Sequence, residues 1–251
     1  MTYLEGFVAP VSEHNKDAYR EHASRIAPIL KEFGIRRIAE GWADEVPRGN
    51  ITDFYRAVAA RDGETVVFSF FEYESKAARD AANEKFATDP RLSELGANVP
   101  FDAKRMILGG FQAIVEAGDT TGSYLNGFVA PVPANKKETY RALTERHASV
   151  FREYGALRLV QAWGDDVPHG RITDFHRAVQ ATPDEVVVFS FIEWASKEAS
   201  SNAWAKLMKD ERMQPSGDMP FDGKRMFWGG FQTIFDTAEP QMISVEVPLG
   251  K

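Results

Sequence analysis

Cysteine is missing from all 251 residues. That absence removes disulfides, thiolate nucleophiles and thiolate-held zinc or iron–sulfur centres together. Histidine is scarce, with five residues at positions 14, 22, 147, 169 and 176. None of them pairs through a His-x-x-x-His or His-x-Glu spacing, so no metal site and no cofactor is expected from them. Positive charge is in deficit: 30 Lys and Arg face 37 Asp and Glu, a formal net charge of −7. Such a chain gains nothing from counterion release on a polyphosphate and is not drawn to anionic lipid, so neither nucleic acid nor membrane is the expected partner. Long apolar runs are lacking too; none approaches the roughly 20 residues of a membrane span. The opening residues Met1–Val11 lack a basic segment followed by an apolar one. A cytoplasmic protein is the resulting expectation.

Core-forming residues, by contrast, are plentiful: 43% of the chain is hydrophobic and 12% aromatic. They recur. Tyr3-Leu4-Glu5-Gly6-Phe7-Val8-Ala9-Pro10-Val11 returns as Tyr124-Leu125-Asn126-Gly127-Phe128-Val129-Ala130-Pro131-Val132, an offset of 124 − 3 = 121. The same offset carries Trp42 onto Trp163, Ile51-Thr52-Asp53-Phe54 onto Ile172-Thr173-Asp174-Phe175, and Val67-Phe68-Ser69-Phe70 onto Val188-Phe189-Ser190-Phe191. One deletion then reduces it to 220 − 100 = 120, which matches Pro100-Phe101-Asp102 with Pro220-Phe221-Asp222 and Gly109-Gly110-Phe111-Gln112 with Gly229-Gly230-Phe231-Gln232. A repeat of this length makes each copy a structural unit. The expected division is a first unit over 1–117, a small polar linker over 118–123, a second unit over 124–236, and a tail over 237–251 in which Met242–Val247 could add a strand.

Within a unit, residues 3–11 are β-rich. Tyr19, Ala23, Ile26, Leu30 and Phe33 then fall on one face of a helix from about Lys16 that Gly34 terminates. Ile35 to Ala43 reads as a strand, and Thr52–Ala60 and Thr65–Tyr73 as extended runs around an Arg61-Asp62-Gly63-Glu64 turn. Ser75 N-caps a second helix ending near Asp89-Pro90, and Lys104–Val115 closes the unit as a strand. The order is β-α-β-(β)-β-α-β, a ferredoxin-like plan, so the fold class is α+β. Two helices cover one sheet face. The other face is apolar and must pack on something, and the second copy is the natural partner. Two tandem ferredoxin-like units thus predict an intrachain pseudo-dimeric α+β barrel, with further homodimerisation left open.

Several motifs stand in both copies: Gly-Phe-Val-x-Pro-Val, Trp-x-Asp-[Asp/Glu]-Val-Pro-x-Gly, Ile-Thr-Asp-Phe-x-Arg-Ala-Val, Val-Val-Phe-Ser-Phe-x-Glu-[Tyr/Trp]-x-Ser-Lys and Pro-Phe-Asp-x-Lys-Arg-Met-x-x-Gly-Gly-Phe. As a set they resemble the YbaA-like bacterial family of unknown function, over nearly all of both units. The resemblance implies a dimeric α+β barrel built by pairing single-unit chains, here fused in tandem. It brings no substrate, cofactor or catalytic residue. The wider barrel superfamily it implies includes cofactor-free monooxygenases, haem-handling enzymes and small isomerases, an analogy of fold only.

Candidate site residues follow from strand alternation and from the differences between copies. On an extended strand Arg56 and Arg177 would point into the barrel, where a guanidinium can grip a carboxylate or phenolate; the bland alternative is pairing with a nearby acid. Glu72 and Glu193 end aromatic strands and share a face with Phe68, Phe70 and their counterparts, a setting for a raised pKa or for a structural ion pair. Trp42 and Trp163 are expected to line the barrel or its core. His176 in place of Tyr55, and Trp228 in place of Leu108, mark where one half's pocket can differ from the other's. His147 takes the place of Ile26 on the apolar helix face and reads as a half-buried histidine. Ser69 and Ser190 lack a repeat-equivalent histidine, so a nucleophilic serine is not expected. Gly109-Gly110 has no phosphate-loop continuation. Two readings remain open: a small-molecule-binding barrel between the units, one that works as an enzyme without a cofactor if it is an enzyme, and a non-catalytic structural or interaction module whose barrel is filled by side chains.

Overall fold

The computed structural model describes residues 2–96, 98–214 and 219–238, apart from the side chains of Ser93 and Glu94. The first unit comprises β1 (Tyr3–Ser12), α1 (Lys16–Glu32), β2 (Arg37–Glu45), a one-turn α2 (Phe54–Ala57), β3 (Glu64–Tyr73), α3 (Lys76–Thr88), α4 (Pro90–Gly96) and β4 (Ile107–Ala117). The second comprises β5 (Tyr124–Pro133), α5 (Lys137–Glu153), β6 (Arg158–Asp166), α6 (Phe175–Ala178), β7 (Glu185–Trp194), α7 (Lys197–Leu207) and β8 (Phe227–Asp236).

Each unit is a four-stranded antiparallel sheet, in the order β4-β1-β3-β2 and its repeat. The two sheets join along two seams, β2 with β8 and β4 with β6, to close an eight-stranded barrel. Closure leaves no sheet edge unpaired. Both seams carry register shifts, the local irregularity by which a sheet bends toward a barrel.

Local signals account for most elements. α1 buries Tyr19, Ala23, Ala27 and Leu30 along one stripe, and Gly34 follows it at φ 104°, a left-handed position that glycine adopts without strain. Ser75 caps α3 by accepting the Ala78 amide at 3.2 Å.

One expectation fails at Thr52–Ala60. The segment is not a strand, because Asp53 accepts the Arg56 amide at 2.8 Å and starts a single helical turn, which ends at Ala59 with φ 48°. Asp174, Arg177 and Gln180 repeat this device. The closing strand begins at Ile107 rather than Lys104, since Asp102 accepts the Lys104 amide and binds Arg105 in a turn. The strand envisaged at Met242–Val247 lies outside the described residues.

The barrel axis is occupied from end to end. Phe54 and Phe175, carried in by α2 and α6, plug one end against Phe231 at 5.0 Å and Phe111 at 5.4 Å. Next come Phe68 stacked on Phe189 at 4.5 Å and Phe70 on Phe191 at 4.1 Å. The other end holds charge: Arg37 grips Glu193 through two bonds of 2.8 Å, and Arg158 binds Glu72 at 2.5 and 3.2 Å. Asp236 adds a carboxylate to Arg37 at 2.6 Å. Every one of these guanidinium–glutamate bonds crosses between units. Charges taken this far from water are stable only when paired.

Glu193 is fully buried and also accepts the Gly122 amide at 3.1 Å. Replacing it with alanine leaves Arg37 and Arg158 under-compensated. Glu193→Ala is expected to lower unfolding stability by about 3–5 kcal/mol, read as a lower urea midpoint at unchanged slope. Glu193→Gln, which keeps an acceptor, is expected to lose less.

Candidate functional site

The structure disperses the residues that sequence reasoning singled out. Glu72 and Glu193 are committed to the buried ion cluster. Arg56 and Arg177 do not enter the barrel, because they sit on the α2 and α6 turns. Their exposed guanidinium groups hold loop carbonyls, Asn50 at 2.9 Å and Gly170 at 3.0 Å. Tyr55 lies under the Arg48 guanidinium at 3.6 Å, and His176 lies beside His169 at 4.7 Å. Trp42 and Trp163 are buried on the outer sheet face, near Tyr19 and Tyr140. Trp228 is 47% exposed. The barrel interior, where a ligand was expected, holds the phenylalanine stacks and the ion cluster among the described residues.

An open space lies on the other side of the sheet. In the first unit a cavity of about 670 Å³ separates the outer face of β1, β2 and β3 from α1 and α3. Phe7, Phe71, Phe86, Phe101, Ile26 and Met106 are among its apolar walls. Among the described residues its polar lining consists of Glu5, Tyr19, His22, Glu40, Ser69 and Asn83, with no lysine or arginine.

Strand register assembles the floor. β3 lies between β1 and β2, and Ser69 pairs with Phe7 on one side and Glu40 on the other. Glu40 is 6% exposed. Its Oε2 accepts the Tyr19 hydroxyl at 2.8 Å and also the Ser69 hydroxyl. Among the described residues, no donor reaches Oε1. Burial pushes the Glu40 carboxyl up to about 7, against the pull of the two hydroxyls. Tyr19 is driven well above the usual phenol range by burial and by Glu40 beside it, so it stays a donor. Glu5 is raised by burial too, although Asn83 at 3.4 Å, Arg79 and Tyr73 at 3.2 Å oppose the shift. His22 is lowered by burial and by Arg25, which favours its neutral form.

The second unit repeats this scaffold without the two carboxyls. Gln161 replaces Glu40 and accepts the same two hydroxyls, from Tyr140 at 2.7 Å and Ser190 at 2.6 Å. Asn126 replaces Glu5, and Trp204 replaces Asn83. The Trp204 indole sits over the floor, donating to Asn126 at 2.8 Å alongside Trp194 at 2.7 Å. The two copies thus differ at Glu5, Glu40 and Asn83 of the cavity while sharing its two hydroxyl donors. Sequence reasoning missed Glu5, Glu40 and Asn83. The signal was available: all three change between the copies, and alternation sets Glu5 and Glu40 on the helix-covered face.

Glu40 carries a pH signature. In the unfolded chain it ionises near 4.5, and in the folded chain near 7. Between these values the folded state holds the extra proton, so its stability falls as pH rises through this window and levels off above it. Glu40→Gln removes that decline. The variant is expected to gain on the order of 2–4 kcal/mol over the parent between pH 4.5 and 8. Urea unfolding of both proteins across that range is the check, and parallel pH profiles would contradict it.

The solved structures that share the fold include a "putative monooxygenase" from Lactobacillus acidophilus NCFM, at TM-score 0.59 and 10% identity, covering 94% of this chain and 95% of that one. An anthrone oxidase-like protein matches at TM-score 0.51 and 14% identity, with 97% of each chain covered. Identities this low establish the fold alone. In sequence, the uncharacterised protein YbaA of Escherichia coli K12 is 55% identical over 116 residues, which is 46% of this chain and 99% of YbaA. YbaA of Shigella flexneri matches equally. The model for the protein family of unknown function DUF1428 matches twice, over residues 2–103 and 123–223. The chain belongs to the DUF1428 family, with two family units in tandem.

Proposed function

We propose that this protein binds a small, largely apolar, uncharged organic molecule in the cavity of its first unit, while the barrel serves as scaffold. The observation that carries this reading is the roughly 670 Å³ space itself, walled by aromatic rings and floored by the buried Glu40. Ligand sites of this kind combine mostly apolar walls with a few convergent polar groups. The absence of lysine and arginine from the lining argues against a carboxylate or phosphate ligand. The aromatic walls favour a flat molecule, which stacks or meets ring edges. The fold shared with a protein described as a "putative monooxygenase" and with an anthrone oxidase-like protein is compatible with chemistry on small organic molecules.

2-Naphthol, a flat neutral phenol, is a suitable probe. A fluorescence titration is expected to reach saturation at one molecule per chain. Asn83→Trp, which copies the plug at Trp204, is expected to weaken binding by at least about tenfold, or ~1.4 kcal/mol, with the circular dichroism spectrum unchanged. The reading fails if the parent does not bind or if the plug has no effect.

A further inference from the structure

We infer that Glu40 is an acid–base residue that moves a proton on a neutral carbonyl compound held in the cavity, taking it from a carbon next to the carbonyl group. The inference rests on the cavity reading above and adds a substrate class and a reaction to it.

The geometry divides the Glu40 carboxylate into two unlike oxygens. Oε2 is held by Tyr19 and Ser69, which fix the plane of the group. Oε1 has no donor among the described residues and belongs to a side chain that lines the cavity. An oxygen held from behind and open in front is placed to accept a proton from a ligand. The cavity also supplies donors for the oxygen of the ligand, since Asn83 and the His22 ring share its lining. Among the described residues the Asn83 amide donates one long bond of 3.4 Å to Glu5, and its second N–H has no acceptor there.

The chemistry balances without an oxidant, a reductant or a metal. Glu40 Oε1 takes the proton from the α carbon. The C–H pair becomes the C=C bond of an enolate, and the carbonyl π pair moves onto oxygen, where Asn83 or His22 donates a hydrogen bond. Return of the proton from Glu40 to a conjugated carbon gives the tautomer or shifted isomer. Exchange of the Glu40 proton with solvent before a proton returns to the same carbon replaces that hydrogen with one from solvent. Tyr19 and Ser69 are positioning residues here. The other titratable groups facing the cavity are Glu5 on β1 and His22 on α1.

The second unit makes the test clean. Gln161 already sits in the Glu40 position under the same two hydroxyls, so Glu40→Gln reproduces an arrangement this chain folds with. Glutamine keeps the shape and loses the proton transfer.

The experiment follows deuterium uptake by 2-tetralone in D₂O by proton NMR, with binding measured separately by displacement of 2-naphthol. The parent protein is expected to accelerate exchange, with the rate rising as pH passes through about 7, where Glu40 ionises. Glu40→Gln is expected to bind equally well and to lose at least about a hundredfold in rate. Tyr19→Phe, which removes a donor that favours the ionised form, is expected to move the pH midpoint upward; a purely structural tyrosine would leave it in place. Equal exchange by parent and Glu40→Gln overturns the inference and leaves the cavity reading standing. So does binding by the parent without acceleration. Failure of both proteins to bind 2-tetralone overturns the inference together with the cavity reading.

Discussion

Phe68 lies face to face with Phe189 at 4.5 Å and 2° between planes, and Phe70 does the same with Phe191 at 4.1 Å and 7°. These stacks join the two units across the barrel axis, and the rest of the architecture depends on them. A four-stranded sheet with helices on one face has a second face that it cannot cover alone. The stacks let each unit cover the other. They also set strict conditions nearby: a Cβ at Gly6 would meet the Phe189 ring at 2.8 Å, and one at Gly127 would meet Phe68 at 2.8 Å. The paired Gly-Phe-Val motifs therefore keep room for the ring of the opposite unit. The guanidinium–glutamate cross at one end and the α2 and α6 plugs at the other complete the filling.

A barrel whose axis carries stacked rings and paired charges serves as a shared core, and it frees the outer sheet faces to differ. Tandem fusion permits this, because each half can change independently once the shared core is secure. The first unit keeps a cavity with two buried carboxyls, while the second holds amides and indoles in the same places. Hydroxyl donors are retained in both, at Tyr19 and Ser69 and at Tyr140 and Ser190. The second half thus has the same frame with amides where the first has carboxyls.

Fold and site were legible to different degrees. Helix α1 was readable from its apolar stripe and Gly34, and the pairing of the units from a sheet face with nothing to cover it. The Thr52–Ala60 segment was misread, because its alternation of residues resembles a strand and the Asp53 cap competes with that pattern. Glu72 was placed on the inward face by alternation, but alternation has no information on partners, and Arg37 and Arg158 claim the carboxylates from the opposite units. Glu40 drew no attention as one acid in a short strand. Its significance appears only when Tyr19 from α1 and Ser69 from β3 converge on it.

The sequence by itself determined the repeat, the α+β class and the mutual covering of the two units, since these follow from periodicity and from the need to bury apolar faces. It also determined where the halves differ. Only the tertiary structure decided which face of the sheet holds a cavity, because that depends on volume. Nine phenylalanine rings pack inside the barrel among the described residues, while in the first unit Asn83, standing where the second has Trp204, leaves the outer face open above Glu40.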